Sequence, residues 1–141
     1  MRGQAAAEFV FVTGAVVMIV AVVALMGMRE SELSIGLASA RVAASNFSMQ
    51  NPEFKLSYLN YSVNDSSRRV VVRPKFYYFS IGAVSVNSAN KSVNESVVWA
   101  LGHTFHPASG SAFTVNNCVR ASYYEYCIVP CFGALSDACN A

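Results

Sequence analysis

Residues 8–28 read EFVFVTGAVVMIVAVVALMGM, one carboxylate followed by a stretch without a charged side chain. About 20 consecutive apolar residues are what a single helix needs to cross the hydrocarbon core of a bilayer. An ionisable group at the mouth of such a run is costly if unpaired, which marks Glu8 as a functional position. With no catalytic partner in the run, that position serves assembly rather than chemistry. On its amino-terminal side only Arg2 is charged, and this places the start of the chain on the cytoplasmic side. On the other side, Arg29-Glu30-Ser31-Glu32 ends the apolar run, yet Leu33, Leu37, Ala40, Ala44 and Phe47 continue at spacings of four, three, four and three. That stripe lies along one helical face and would pack the second half of the helix against a folded head. Asn51-Pro52 stops the helix, because the residue before proline is pushed away from α geometry. A helix from about 5 to 49 would be roughly 67 Å long.

A secretory signal peptide carries its small-residue cleavage site after the apolar stretch. Here Gly3 precedes it. The string Arg2-Gly3-Gln4-Ala5-Ala6-Ala7-Glu8-Phe9 resembles the processing site of type IV pilin-like proteins. Through Gln4 ahead of Glu8 it is most similar to the class III signal peptides of archaeal adhesion pilins, and bacterial tight-adherence pilins begin in a similar way. The resemblance covers the helix, about the first third of the chain. It implies a leader over 1–3, cut between Gly3 and Gln4 by a prepilin peptidase. It also implies an assembly and transmembrane helix over 4–50 and an extracellular β-rich head over 51–141. In that scheme Glu8 neutralises the new amino group of Gln4 on an adjacent subunit.

From Phe54 onward the period changes to two. Phe54, Leu56 and Tyr58 open a first strand, and Asn64-Asp65-Ser66-Ser67 is a turn cluster. Residues 69–73 and 75–86 read as strands rich in β-branched and aromatic residues, with Pro74 between them as an edge or bulge. A polar loop over 87–94 and further strands over 96–101, 112–115 and 120–129 complete the pattern. A helix followed by many short strands predicts an α+β chain with a β-sandwich-like, immunoglobulin-like head.

Charged residues make up 13% of the chain and the net charge is +2. That balance does not steer nucleic acid, and low charge with many apolar and hydroxyl side chains suits a surface that packs against copies of itself. Asn-x-Ser sequons at Asn46, Asn60, Asn64, Asn90 and Asn94 are candidate N-glycosylation sites in an exported chain. Cys118, Cys127, Cys131 and Cys139 cluster at the carboxyl end and read as two disulfides with three possible connectivities. The pairing Cys118–Cys127 with Cys131–Cys139 closes the shortest loops. Their intervals lack the paired Cys-x2-Cys spacing of zinc sites, so no metal is expected.

His103 and His106 fit a loop before Pro107 rather than a metal pair. Around Ser111 the nucleophile-elbow glycines are missing, their places being taken by Ser109 and Phe113. Tyr123-Tyr124-Glu125-Tyr126 reads as a strand with tyrosines on alternate faces. Arg68-Arg69 and Arg73-Pro74-Lys75 read as a solvated strand edge. Nothing in these residues supports an enzyme or a cofactor. The expected function is a structural subunit of an extracellular, helical homo-oligomeric filament. The subunit would be membrane-inserted before assembly and serve adhesion to an unidentified surface or cell ligand. A minor or tip subunit, and a binding module held permanently by an uncleaved membrane helix, are the alternatives.

Overall fold

The computed structural model describes residues 2–78, 86–107 and 114–133, with the side chains of 2–7 and 114–115 excepted. Its elements are α1 (Arg2–Gln50), β1 (Phe54–Asn64), β2 (Arg69–Tyr78), α2 (Val86–Phe105), β3 (Thr114–Val115), β4 (Cys118–Arg120), β5 (Glu125–Ile128) and β6 (Cys131–Gly133). The chain divides into two compact units, Met1–Ser31 and Glu32–Ala141.

The first unit is the apolar part of α1, where every residue from Glu8 to Met28 is exposed. Its many valines are modest helix formers in water. In a bilayer the balance changes, since each backbone N–H and C=O must then be satisfied within the segment. Thr13 follows the same rule, its hydroxyl donating to the Phe9 carbonyl at 2.8 Å.

In the second unit, the remaining turns of α1 form part of a core. Ala40, Ala44 and Phe47 are buried, and Leu33 and Leu37 pack against them, as the stripe requires. The helix ends where expected. Backbone and side-chain nitrogens of Asn51 both donate to the Phe47 carbonyl, each at 3.0 Å. Ser48 then ties the helix to the first strand, its hydroxyl donating to Phe54 O and accepting from Leu56 N–H.

The strands form one mixed sheet in the order β1-β2-β5-β4-β3, with β6 also on β2. β1 and β2 are antiparallel, joined at the Asn64-Asp65-Ser66-Ser67 turn, where Asn64 Oδ1 accepts from Ser67 N–H and Arg68 takes a positive φ of 51°. β5 and β6 run parallel to β2 with one offset, before and after Pro130. β3 and β4 turn through Asn116 and Asn117, both at positive φ, the pattern of a two-residue hairpin that asparagine tolerates. Val70, Val72, Pro74 and Phe76 of β2 are all buried and form the inner face. Phe47 of α1 meets Phe76 edge-on at 5.4 Å, and Phe76 stacks on Phe132 at 5.2 Å.

The architecture is therefore α+β, a long apolar helix followed by a head with a mixed sheet. The described strands form a single sheet rather than an immunoglobulin-like sandwich, because helices cover its inner face. Three expectations are corrected. Residues 87–94 and 96–101 are not a loop and a strand but α2, in which Ala89, Val93, Val97 and Leu101 recur every fourth residue and are all buried. Its Asn and Ser residues are weak helix formers, so tertiary burial of that stripe holds the helix. Next, 69–73 and 75–78 are one strand running through Pro74, and it is interior rather than an edge. The proline is accommodated beside a bulge at Leu56/Tyr58 of β1 and level with the gap between β5 and β6. Lastly, residues 120–129 hold parts of two strands, β4 and β5, joined by a turn in which Ala121 N–H donates to Tyr124 O. Residues 79–85 and 111–113, including Ser111, lie outside the described residues.

Candidate functional site

The element that carries the sequence expectation is α1. Glu8 is exposed, with no partner among the described residues. Gly3 and Gln4 have backbone positions in α1, but the side chain of Gln4 lies outside the described residues. Large apolar side chains follow Glu8 in an uncovered run, with Phe9 72% and Phe11 79% exposed. No residue of the most apolar 18-residue window is buried. A Cβ built on Gly14 or Gly27 would meet nothing within 4 Å, so the subunit itself has no steric need for glycine there.

Glu32, the last acid of the polar break, docks the second half of α1 onto the sheet. Its Oε1 accepts from the backbone N–H of Tyr123 at 3.1 Å and of Tyr124 at 2.8 Å, and Oε2 accepts from Tyr123 at 2.9 Å. The turn between β4 and β5 thus presents two amides to one carboxylate, a charge-assisted arrangement stronger than neutral hydrogen bonds. One turn further on, Gly36 lies beneath the ring of Tyr126. The Tyr126 hydroxyl donates to the Glu32 carbonyl at 3.0 Å. Burial above all, then the charge of Glu32 and the neighbouring Tyr124, push the Tyr126 hydroxyl well above its ordinary range and keep it a neutral donor. Tyr126 also stacks on Phe105 at 5.2 Å, which couples α2 to the same point. The strand expected over Tyr123-Tyr124-Glu125-Tyr126 begins only at Glu125: Tyr123 and Tyr124 belong to the turn before β5, Tyr124 and Tyr126 are buried, and the role of the turn's amides was not visible in the sequence. Glu32 and Gly36 were missed as well. The signal available was an acid and a glycine four residues apart at the start of the apolar stripe.

α2 and α1 border an open groove of about 940 Å³, lined by Ile35, Val42, Asn46, Trp99 and His103 among others. The Trp99 ring stacks on His103 at 3.9 Å, and the Ser39 and Thr104 hydroxyls meet at 2.8 Å. His103 and His106 are not in a plain loop: His103 is in the last turn of α2 and His106 follows it. His103 Nδ1 donates to the Trp99 carbonyl and His106 Nε2 to the Arg120 carbonyl, so the two rings serve separate backbone acceptors.

Cys118 and Cys127 face each other across β4 and β5 and are disulfide-bonded, with Cα atoms 4.0 Å apart. Cys131 is disulfide-bonded too, and Cys139 lies outside the described residues. The sulfurs of Cys118 and Cys127 and a Glu125 oxygen lie within 4.8 Å of one another. With the sulfurs oxidised this trio has no thiolates to offer a metal. The five sequons separate by environment. Asn60 and Asn64 are exposed on β1. Asn46 lines the groove, whereas Asn90 and Asn94 are half-buried on α2 and bonded to each other at 3.4 Å. Asn94 Oδ1 is buried and has no hydrogen-bond partner among the described residues. Comparison with protein-family models, curated proteins and solved structures gives no match for this chain.

Proposed function

We propose that the chain is a pilin-like subunit of an extracellular filament, assembled through α1 and used in surface adhesion. The observation that carries this reading is α1 itself. Residues 9–28 form an apolar helix with every side chain uncovered, while residues of the same helix from Leu33 to Phe47 contribute to the core of the head. An apolar surface of that extent requires lipid or other copies of the helix around it. Between helices, association comes from close packing and from satisfying the few polar groups, which suits glycines that the single subunit does not need. Glu8 supplies the polar group. Paired with the amine of a processed Gln4 on a neighbouring subunit, it fixes axial register. The Glu32–Gly36 docking anchors the head to its own helix.

The test is co-expression with a prepilin peptidase, followed by N-terminal mass measurement and electron microscopy. The reading requires a chain beginning at Gln4 and filaments that disappear when Gly3→Val blocks cleavage. A chain that keeps Met1 and remains membrane-bound, without filaments, would contradict it.

A further inference from the structure

The helices cover the inner face of the sheet; side chains on the opposite face range from exposed at Arg69 to buried at Lys75. The β2 positions of that opposite face are Arg69, Val71, Arg73, Lys75 and Tyr77, and their register partners on β1 are Asn64, Ser62, Asn60, Tyr58 and Lys55. Glu125 stands opposite Arg69, and Arg120 opposite Glu125. Five of the ten Lys and Arg residues of the chain, Lys55, Arg69, Arg73, Lys75 and Arg120, therefore share one face, on which Glu125 is the one acid among the described strand residues. That acid is already held by Arg69 at 2.7 Å. The sequence reading of Arg69, Arg73 and Lys75 as a protective strand edge does not apply, since β2 is interior and these side chains line a sheet surface.

The chemistry of the face is specific. Lys75 Nζ lies 5.4 Å from the centroid of Tyr58 and 5.5 Å from that of Tyr77, so an ammonium is framed by two aromatic rings. Arg73 reaches the Ser62 hydroxyl at 3.4 Å. Lys75 itself is buried, at 9% exposure, so the exposed cations of the face are Lys55, Arg69 and Arg120, with Arg73 half-buried among them. Several cations, aromatic rings with an apolar body, and a hydroxyl together suit a polymer that is both anionic and rich in hydroxyls. A membrane surface would ask for apolar side chains inserted beside the charges. Val71 is the one aliphatic residue among these outward positions, and it is half-buried.

We infer that the outward face of the sheet binds an anionic polysaccharide. The choice of polysaccharide over single-stranded nucleic acid rests on the extracellular place proposed for the head; the electrostatics of the face do not depend on it. Each exposed cation contributes little alone, but several converging on one polyanion give a strong, salt-screened attraction.

The experiment uses the full chain in detergent micelles, made in a bacterium that does not N-glycosylate, with immobilised heparin as the probe and neutral dextran as control. Retention on heparin at low salt, no retention on dextran, and affinity falling about tenfold or more on raising salt are expected. Replacing Lys55, Arg73 and Arg120 together by Gln should weaken heparin binding at least about tenfold. Removing the same charge elsewhere, with Arg29, Arg41 and Lys91 replaced by Gln, should leave it intact. Charge-preserving Arg73→Lys in the wild-type background reports on folding and should retain binding. Equal loss in both triple variants, no retention on heparin, or stronger binding to anionic vesicles or single-stranded DNA would each overturn the inference. Filament formation is scored separately, so failure here is distinguishable from failure of the filament reading.

Discussion

Gly36 lies so close to Tyr126 that a Cβ at that position would stand 2.6 Å from the ring carbon Cε1. No real side chain tolerates that approach without displacing the ring, and Tyr126 is fully buried. Gly36→Ala should destabilise the head by about 1–2 kcal/mol, an overpacking cost partly offset by the better helix propensity of alanine. Gly14→Ala serves as the contrast, because open space surrounds it in the subunit. Urea unfolding followed by Trp99 fluorescence checks both, and equal stability of Gly36→Ala and wild type would contradict this packing.

The Tyr126 hydroxyl is held neutral in the fold, with its titration raised above that of a free tyrosine. The unfolded chain therefore ionises first, near pH ~10. This contribution is fully present below that pH and is lost as pH rises toward the folded value. Tyr126→Phe should cost about 0.5–1.5 kcal/mol at neutral pH through the lost bond to Glu32 O. It should also flatten the alkaline decline in urea midpoint. Parallel declines for the two proteins would count against a neutral, buried hydroxyl.

Cys118 and Cys127 close a short hairpin, nine residues apart in sequence. Replacing both by Ser should lower stability by about 2–3 kcal/mol. Non-reducing peptide mapping should recover a peptide carrying both cysteines, and free thiols at these positions would refute the pairing.

Among the five sequons, glycan occupancy is expected at Asn60 and Asn64. Their Oδ1 atoms accept from Tyr61 and Ser67 N–H, and their Nδ2 atoms lie on an exposed strand. Asn94 is expected to be unmodified, since its amide is packed on α2 with Oδ1 buried. Glycopeptide mass spectrometry on protein from the native host decides this; a glycan on Asn94 in folded protein would reverse the assignment.

Much of this was legible in the sequence because it rests on short-range pattern. The apolar run after Glu8, the helix stop at Asn51-Pro52 and the turn at 64–67 all follow from local residue chemistry. The stripe from Leu33 to Phe47 was legible for the same reason. α2 was hidden because its apolar residues are few and separated by Asn and Ser, so a buried every-fourth-residue stripe looked like a loop and a strand. The interior placement of Pro74 depended on β5 and β6, which pair with β2 from more than fifty residues away. Glu32 was invisible as a docking group because its partners are backbone amides, and these leave no mark on side-chain pattern.

The central claim is that Glu8 pairs with the amine of a neighbouring subunit as filaments form. Glu8→Gln keeps the shape and removes the charge, so the variant should be processed and inserted into the membrane yet enter filaments poorly. The direct measurement is the ratio of wild-type to Glu8→Gln subunits in filaments from cells expressing both at equal levels, read by mass spectrometry. The account predicts strong enrichment of wild type in the filament over the membrane pool. Equal incorporation of the two would contradict it.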